Sequence, residues 1–237
     1  MVNPDTSREH SMLIRPSSQR GDADHGWLRS RHSFSFASYY DPRFMGFGPL
    51  RVLNEDRVEA ARGFGRHPHR NMEIISYVIS GQLAHRDSMG NGSLIQPDEV
   101  QLMSAGTGVT HSEMNPSTEA GVHFLQIWIQ PAAMSTPPRY AQKRFDDDGV
   151  VLLVSPDGRD DSITVGQDLD LYRIRLTDDE ATHALRGRRG WVQVISGDLT
   201  VSGAGLHAGD GLSFEALDAL HLTAHGPVEA LLFDMAA

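Results

Sequence analysis

The sequence predicts an all-β protein built from two related β-barrels in tandem. Three observations favour this fold class. Short stretches with alternating or apolar character follow one another closely along the 237 residues, and turns rich in Gly, Pro, Asp and Asn separate them. No stretch shows a long helical period. Two strand candidates, Tyr77–Gly81 and Val192–Gly197, both end in Ile-Ser-Gly, which indicates that the second half of the chain echoes the first.

The first half contains several predicted strands. In the earliest one, His32, Phe34 and Phe36 share one face and small residues mostly occupy the other, which is the alternation of a half-buried strand. Turn signals such as Ser80-Gly81 and Met89-Gly90-Asn91-Gly92 separate the others. The predicted strands are His32–Tyr40, Leu50–Glu55, Glu73–Ser80, Leu83–Asp87, Val100–Ser104 and Val122–Gln130.

A change of composition predicts the boundary between two domains. Residues 136–149 contain Pro137 and Pro138 and then Asp146-Asp147-Asp148, a composition typical of a linker. We therefore predict a disordered tail over residues 1–11, a first barrel over 12–135, a linker over 136–149 and a second barrel over 150–237. Its predicted strands are Val150–Val154, Asp170–Leu176, Trp191–Ser196, Leu199–Ser202 and Ala230–Phe233, with one short helix over Asp178–Leu185.

The composition excludes several classes of protein. The chain has no cysteine, which excludes disulfide frameworks, zinc–thiolate sites, iron–sulfur clusters and cysteine nucleophiles. Its formal net charge of −10 argues against direct nucleic-acid binding. No apolar run reaches the ~20 residues of a membrane span, and the first twenty residues lack the apolar segment of a signal peptide. We therefore expect a cytoplasmic protein that binds neither membrane nor nucleic acid.

The histidines are unevenly distributed, and eight of the twelve precede residue 131. Two short patterns stand out there: His67-Pro68-His69 and His111-Ser112-Glu113. Residues i and i+2 of a strand point to the same face, so each pattern can aim two ligand atoms at one point. Three imidazoles and one carboxylate suit a first-row divalent ion rather than Ca²⁺ or Mg²⁺. Four protein ligands also leave coordination positions open, which catalysis requires.

Longer blocks around these patterns resemble a known family. The spacing of Gly63, His67, His69 and Glu73 and then of Gly108 and His111 is similar to the two sequence motifs of the cupin superfamily. The blocks Gly65–Glu73 and Met103–Glu113 resemble the pirin family more closely. The likeness continues through further short motifs: His25-Gly26-Trp27, Ser33–Ala37, Tyr40-Asp41-Pro42, Met45-Gly46-Phe47, Leu50-Arg51-Val52, Asp170-Leu171-Tyr172 and Leu231–Asp234. The resemblance implies a bicupin, two cupin-type barrels that face each other, with few short helices and with metal only in the N-terminal barrel.

The identity of the carboxylate ligand is open on strand geometry alone. Glu73 shares the predicted parity of His69 but lies ~13 Å further along an ideal strand, so only a bend would bring it back. Glu113 needs no bend. The resemblance implies the Glu of the His-x-Glu pattern. We therefore predict His67, His69, His111 and Glu113 as the metal ligands, with Glu113 also catalytic, and Glu73 as a support for the ligands or a structural hydrogen-bond partner.

The remaining histidines carry weaker signals. His85 and Asp87 share a face of one strand and point either to the pocket or to solvent. The four histidines of the second half form no His-x-His pattern, so we expect them to be structural or exposed: His183, His207, His221 and His225.

The resemblance also implies an activity. Bacterial pirin-like proteins resemble quercetin 2,3-dioxygenases, which cleave the central ring of the flavonol with O₂ and release carbon monoxide. The expected cofactor is one divalent ion, Fe(II) first, with Mn, Ni, Cu, Zn or Co as alternatives. The expected small-molecule partners are a flavonol or a similar enediol and O₂. The alternative is a metal- or redox-sensing regulator that binds a protein partner. An open apolar cavity above His67 and His111 would favour the enzyme, and a mouth closed by large residues would favour the regulator.

Overall fold

The protein is described by a computed structural model that covers residues 11–187 and 189–236. Almost all of its regular structure is β-strand, and the described helices are two single 3₁₀ turns, Ser17–Gln19 and Arg159–Asp161. The first twelve strands are β1 Ser11–Arg15, β2 Gly21–Asp24, β3 Leu28–His32, β4 Leu50–Val58, β5 Gly63–His69, β6 Glu73–Ser80, β7 Leu83–Asp87, β8 Gly92–Ile95, β9 Glu99–Ser104, β10 Val109–Met114, β11 Val122–Ile129 and β12 Arg139–Arg144. The others are β13 Gly149–Ser155, β14 Ile163–Thr164, β15 Leu169–Thr177, β16 Glu180–Ala184, β17 Arg189–Val201, β18 Ala204–Leu206, β19 Gly211–Glu215 and β20 Ala219–Met235.

The chain divides into two compact units. The first unit comprises Ser18–Asp147 and Leu152–Asp170, and the second comprises the described residues up to Ser17, Asp148–Val151 and the chain from Leu171 onward. Both units consist almost wholly of β-strands, which confirms the all-β prediction.

Within the described residues, no helix is long and apolar enough to cross a membrane.

The first unit contains two antiparallel sheets. One has seven strands in the order β12-β9-β6-β11-β4-β3-β2, and the other has four in the order β5-β10-β7-β8. Gly81 ends β6 with a positive φ of 78°, and a Cβ at this position would lie 2.7 Å from the backbone oxygen of Gly121. Glycine is required for this turn, because the conformation and the close approach both exclude a side chain.

A row of buried polar side chains crosses the seven-stranded sheet on one face. Its members are in register, since each is the direct cross-strand partner of the next. We call it the polar row, and it consists of His32 of β3, Asn54 of β4, Gln126 of β11, Ser76 of β6 and Gln101 of β9. All five are less than 9% exposed.

Apolar side chains flank the polar row on the same face of the sheet. Ile74 and Val78 lie two residues to either side of Ser76 and are both buried, because alternate residues of a strand share a face. The larger apolar layer contains Leu28, Val58, Val78, Leu83, Ile95, Val122 and Phe124. The smaller apolar layer contains Ile74, Met103 and Val109, with Met72 and Trp128 packed against it. The interior of the first unit is therefore a polar layer between two apolar ones.

The second unit is built on one sheet in the order β1-β19-β17-β20-β15-β13, in which β1, β19, β17 and β20 pair antiparallel, as do β18 with β17 and β16 with β20. Its core contains buried aliphatic and aromatic residues of β15, β17, β19 and β20, including Val192, Phe214 and Leu232. The strands predicted over Trp191–Ser196 and Leu199–Ser202 are one strand, β17, whose register with β20 shifts near Ser196.

Two predicted elements are wrong. Residues 33–40 form no strand after β3, because Ala37 has a positive φ of 49° and Phe36 and Tyr39 exchange backbone hydrogen bonds across a tight turn. Asp178–Leu185 is not helical. It contains the edge strand β16, in which Ala181 and His183 pair with Leu222 and Leu220 of β20.

The domain boundaries stay a prediction, but two local observations bear on them. The range 136–149, predicted as a linker, contains β12, which pairs with β9 from Arg139↔Ser104 to Arg144↔Glu99. Residues 1–10 of the predicted tail lie outside the described residues, and Ser11 begins β1.

Candidate metal centre

Antiparallel pairing of β5 with β10 brings the two histidine patterns together. His67 lies directly opposite His111, and His69 lies opposite Val109. The register then shifts, because two residues of β5, Gly65 and Arg66, face the single residue Ser112. Such a bulge bends the strand and re-aims its side chains.

The three predicted imidazole ligands converge. The Nε2 atoms of His67 and His111 lie 2.9 Å apart, and the ring centroids of His69 lie 4.7 Å from His67 and 4.8 Å from His111. One nitrogen atom of each ring lies within 4.8 Å of one nitrogen atom of each of the other two rings. His111 is 1% exposed, while His67 and His69 are half-buried.

The predicted carboxylate, Glu113, lies on the same face of β10 as His111. Its Oε2 is 4.0 Å from Nε2 of His111. Ser76 donates a hydrogen bond of 3.0 Å to Oε1, and Gln126 Nε2 donates one of 3.2 Å to Oε2. Glu113 thus contacts the polar row. Burial raises the pKa of Glu113 to about 7, although both hydrogen bonds favour its charged form.

The ring nitrogens of these histidines suit a cation. His67 donates its Nδ1 proton to the backbone oxygen of Gly65 over 2.8 Å, so its Nε2 presents a lone pair towards His111. Nε2 of His69 is buried and has no hydrogen-bond partner among the described residues. Burial, and then the neighbouring His67, lower the pKa of His69 to about 4 and that of His111 to about 2. Neutral imidazoles with inward lone pairs are the form that coordinates divalent ions.

Glu73 does not join this cluster. It lies on β6 with the parity of Ile75, on the opposite face of the strand from Ser76, and its Oε2 accepts a hydrogen bond of 2.7 Å from Ser104. The parity expected from His69 is lost because the chain turns between β5 and β6, where Asn71 has a positive φ of 52°. The structure therefore places Glu73 as a structural hydrogen-bond partner.

His85 and Asp87 of β7 face the protein interior rather than solvent. His85 is 1% exposed and lies opposite Glu113 across the strand pair, and Asp87 lies opposite His111. His85, His111 and Glu113 form a second group of close ligand-type atoms.

Sequence reasoning missed several residues that surround the centre. Ser76 and Gln126 contact Glu113, and the ring of Trp128 lies 4.9 Å from that of His69 in an edge-on arrangement. Nε1 of Trp128 is buried, without a hydrogen-bond partner in the described part of the chain. The available signal was a polar residue at the centre of an otherwise apolar strand, as in Ile74–Val78 and Leu125–Ile129.

The histidines of the second unit hold no comparable group among the residues that the structure describes. His207 contacts Asp198 at 2.7 Å, His221 contacts Thr182 and His225 contacts Thr200, and all three contacts are exposed. His183 packs edge-on against Tyr172.

Comparison with known proteins links both halves of the chain to characterised families. The family model described as Pirin matches residues 13–129, and the model described as the quercetinase C-terminal cupin domain matches residues 152–235. The chain thus contains two cupin domains, as predicted.

Full-length relatives agree with these matches. A quercetin 2,3-dioxygenase of Escherichia coli K12 is 48% identical over 227 residues, which cover 94% of this chain and 98% of the relative. A pirin-like protein of Caulobacter vibrioides is 37% identical over 94% of this chain and 98% of its own length. The crystal structure of the E. coli pirin YhhW in complex with nickel(II) has a TM-score of 0.92 and 47% identity, and covers 95% of this chain and 99% of that one. The chain therefore belongs to the pirin family.

Proposed function

We propose that this protein is a metal-dependent quercetin 2,3-dioxygenase, which opens the central ring of a flavonol with O₂ and releases carbon monoxide. The observation that carries the proposal is the convergence of His67, His69 and His111, with the buried carboxylate of Glu113 4.0 Å from Nε2 of His111. The E. coli relative named quercetin 2,3-dioxygenase, 48% identical over nearly the whole of both chains, supports the same activity.

His67, His69, His111 and Glu113 would hold the metal, and Fe(II) is the ion that we propose. The donor set of three nitrogens and one oxygen suits a first-row divalent ion. The unpartnered Nε2 of His69 and the facing Nε2 atoms of His67 and His111 fit such an ion. When bound, the metal would supply a Lewis acid for the substrate hydroxyl and an electron-exchange centre for O₂.

Glu113 acts as general base in this proposal and takes the proton of the substrate hydroxyl. In the metal-free chain, burial raises the pKa of this carboxyl, which makes it a stronger proton acceptor than an exposed glutamate. Ser76 steadies the carboxylate. Its single hydroxyl proton has two acceptors, Glu113 Oε1 at 3.0 Å and Gln126 Oε1 at 3.1 Å, so it can leave Glu113 when that carboxyl is protonated.

Trp128 orients the substrate. The half-buried side chains of Met72 and Trp128, which pack against the smaller apolar layer, offer an apolar surface of the kind that a planar aromatic ring prefers. A buried indole N–H without a partner loses free energy unless a ligand or water accepts its hydrogen bond. We infer that a hydroxyl or carbonyl oxygen of the flavonol accepts it.

The test is a purification without added metal, elemental analysis, and reconstitution with Fe(II) and with the other divalent ions. Iron-loaded protein is expected to consume O₂, bleach the absorbance of quercetin and release carbon monoxide. His111→Ala is expected to lose metal and activity together, whereas His25→Ala, at an exposed position, retains both. Iron-loaded protein that neither consumes O₂ nor bleaches quercetin, and so matches the metal-free form, would refute the proposal.

A further inference from the structure

A buried pair on β7, His85 and Asp87, lies directly behind His111 and has no part in the function proposed above. Nδ1 of His85 lies 3.4 Å from Nδ1 of His111, while Nε2 of His111 faces His67 at 2.9 Å and Glu113 at 4.0 Å. The two nitrogens of His111 therefore have different surroundings. One faces the other candidate ligands, and the other faces His85.

The hydrogen bonds of Asp87 determine which nitrogen of His85 carries the proton. Oδ1 of Asp87 accepts hydrogen bonds from the backbone N–H groups of Met89 and Asn91, at 2.9 and 3.0 Å. Oδ2 accepts one of 2.8 Å from Asn91 Nδ2 and lies 3.2 Å from Nε2 of His85. A carboxylate only accepts, so Nε2 of His85 is its donor and Nδ1 of His85 presents a lone pair to His111.

We propose that His85, oriented by Asp87, is a positioning residue that accepts the Nδ1 proton of His111 and so directs the Nε2 lone pair of His111 to the metal. The proposal rests on the metal site proposed above. In the metal-free protein, His67 Nε2 at 2.9 Å and His85 Nδ1 at 3.4 Å compete for the one ring proton of neutral His111. A metal bound at Nε2 of His111 leaves no proton on that nitrogen, so the hydrogen bond to His67 is lost. The ring proton of His111 then lies on Nδ1, where His85 accepts it.

The position of His85 distinguishes this role from that of a ligand. It approaches His111 at Nδ1 rather than at Nε2, the nitrogen that faces His67, and its own Nε2 is engaged by Asp87. Partners of this kind hold a ligating imidazole in the correct tautomer and orientation, and their loss typically weakens metal binding ~10–100-fold.

Three substitutions of His85 distinguish the roles of its two ring nitrogens. The side-chain oxygen in His85→Asn stands near the position of Nδ1 and can still accept the proton of His111. The amide in His85→Gln reaches the position of Nε2 instead, and His85→Phe retains a ring without nitrogen. His25→Asn, an exchange at an exposed position of the same unit, is the matched control.

Zn²⁺ affinity, measured by competition with a chromophoric chelator, is the first readout. We expect His85→Phe and His85→Gln to bind Zn²⁺ roughly 10–100-fold more weakly than the unmodified chain. His85→Asn is expected to recover most of this loss, and His25→Asn to be unchanged. Equal affinity in the unmodified chain and His85→Phe overturns the proposal. A loss of Zn²⁺ in His85→Asn as complete as in His111→Ala also overturns it, since His85 would then be a ligand.

The tautomers provide a second readout that does not depend on activity. ¹⁵N NMR of the Zn²⁺-loaded protein is expected to show His85 with its proton on Nε2 and His111 with its proton on Nδ1. The opposite tautomer of His85 overturns the proposal.

Asp87→Asn tests the hydrogen bonds that link Asp87 through His85 to His111. The two backbone donors hold the amide oxygen at the position of Oδ1, so the amide NH₂ faces Nε2 of His85 and shifts the proton of His85 to Nδ1. Two N–H groups, one on Nδ1 of His85 and one on Nδ1 of His111, would then face each other without an acceptor. We therefore expect the Zn²⁺ affinity to fall as in His85→Phe. An unchanged tautomer and affinity in Asp87→Asn contradict the proposal.

The two proposals fail in different ways. Protein that follows the predicted Zn²⁺ series but shows no O₂ uptake with quercetin refutes the dioxygenase and retains the role of His85. Active iron-loaded protein with a flat Zn²⁺ series refutes the role of His85 alone. An unmodified chain that binds no divalent ion refutes both.

Discussion

Individual carboxyl groups inside the first unit differ in what surrounds them, and that difference separates their roles. Glu113 faces His111 and hydrogen-bond donors of the polar row. Glu73 lies on the opposite face of β6 and accepts a hydrogen bond from Ser104. Of the two glutamates, Glu113 lies beside the candidate centre and Glu73 does not.

Glu113→Gln should therefore remove the general base while preserving the shape of the side chain and its contact with Ser76. We expect kcat for quercetin to fall at least about 100-fold. The fold, followed by circular dichroism, should be unchanged. Glu73→Gln, on the other face of the strand, is the comparison, and a fall in kcat of similar size there would contradict the assignment.

Trp128→Phe should preserve the aromatic contact with His69 and remove only the indole N–H. The loss of one hydrogen bond to the substrate is expected to lower kcat/KM for quercetin roughly fivefold to tenfold, with unchanged iron content. Trp27→Phe is a suitable control, because Trp27 packs against Phe64 and the larger apolar layer, away from His69. Equal effects of the two substitutions would exclude a specific role for Trp128.

Asp56 makes stability depend on pH in a direction opposite to that of a typical ion-paired carboxylate. Burial raises the pKa of Asp56 from 3.8 to about 7, even though Ser30 donates a hydrogen bond to it. The folded chain therefore binds this proton more tightly than the unfolded chain, and stability falls as pH rises through the interval between these values. Asp56→Asn, which cannot ionise, should escape this loss.

We expect the free energy of unfolding of Asp56→Asn to exceed that of the unmodified chain increasingly from pH 4 to pH 8, by at most about 4 kcal/mol. Urea unfolding at several pH values measures the difference. Asp22→Asn, at a carboxylate that is 51% exposed beside Arg31, should show no such trend. A difference between Asp56→Asn and the unmodified chain that is constant with pH would be inconsistent with a buried neutral carboxyl.

At the scale of elements, the geometry of the candidate centre depends on the close approach of β5 to β10. Gly63 pairs with Met114, and a Cβ on Gly63 would lie 2.3 Å from the backbone oxygen of Glu113 and 2.6 Å from Cα of Met114. Glycine is thus needed at the entrance of β5, and the distance between the strands fixes how His67 faces His111.

Gly63→Ala should push these strands apart. We expect a loss of stability of about 1–3 kcal/mol and weaker binding of divalent ions, measured by thermal unfolding and chelator competition. Gly65→Ala is the matched control two residues away, because a Cβ there meets nothing within 4 Å and the backbone oxygen that holds His67 is retained. If Gly65→Ala were as damaging as Gly63→Ala, crowding between the strands would not be the cause.

The sequence predicted strands best where turns are encoded locally. β6 and β7 occur with the predicted bounds, since Gly81 allows the sharp turn between them. The strand predicted over residues 33–40 is absent because the hydroxyl of Ser35 forms hydrogen bonds with the backbone of Asp41 and supports a loop. Local hydrogen bonding of this kind competes with strand pairing, and it cannot be read from alternation alone.

The site was predictable only as far as strand parity reaches. Parity placed His67 with His69 and His111 with Glu113, and the pairing of β5 with β10 joins them. The contribution of Ser76, Gln126 and Trp128 depends on the register of β6, β11 and β4, and non-local register has no local sequence signal.

At the scale of the whole molecule, the two units carry histidines of different character. Three histidines of the second unit, His207, His221 and His225, bond an aspartate or exposed threonines, whereas His67, His69, His85 and His111 of the first unit converge. A protein partner and the restriction of metal to the first unit both stay predictions of the resemblance.

Bound metal should stabilise the protein by mass action, since the unfolded chain lacks the converged site. At a concentration of free ion about 100 times the dissociation constant, we expect a rise in Tm of roughly 5–10 °C. Calorimetry with added Zn²⁺ and then with excess chelator measures the shift and its reversal. A comparable rise in His111→Ala would place the ion elsewhere.

The opposition of β5 and β10 also has a consequence for how the protein matures. A chain synthesised only as far as β9 already carries His67 and His69, but neither His111 nor Glu113. Two imidazoles separated by a single proline bind a divalent ion weakly and with little selectivity. Lasting capture of a divalent ion at the proposed site would then wait until β10, which ends at Met114 of the 237 residues, has left the ribosome and lies against β5.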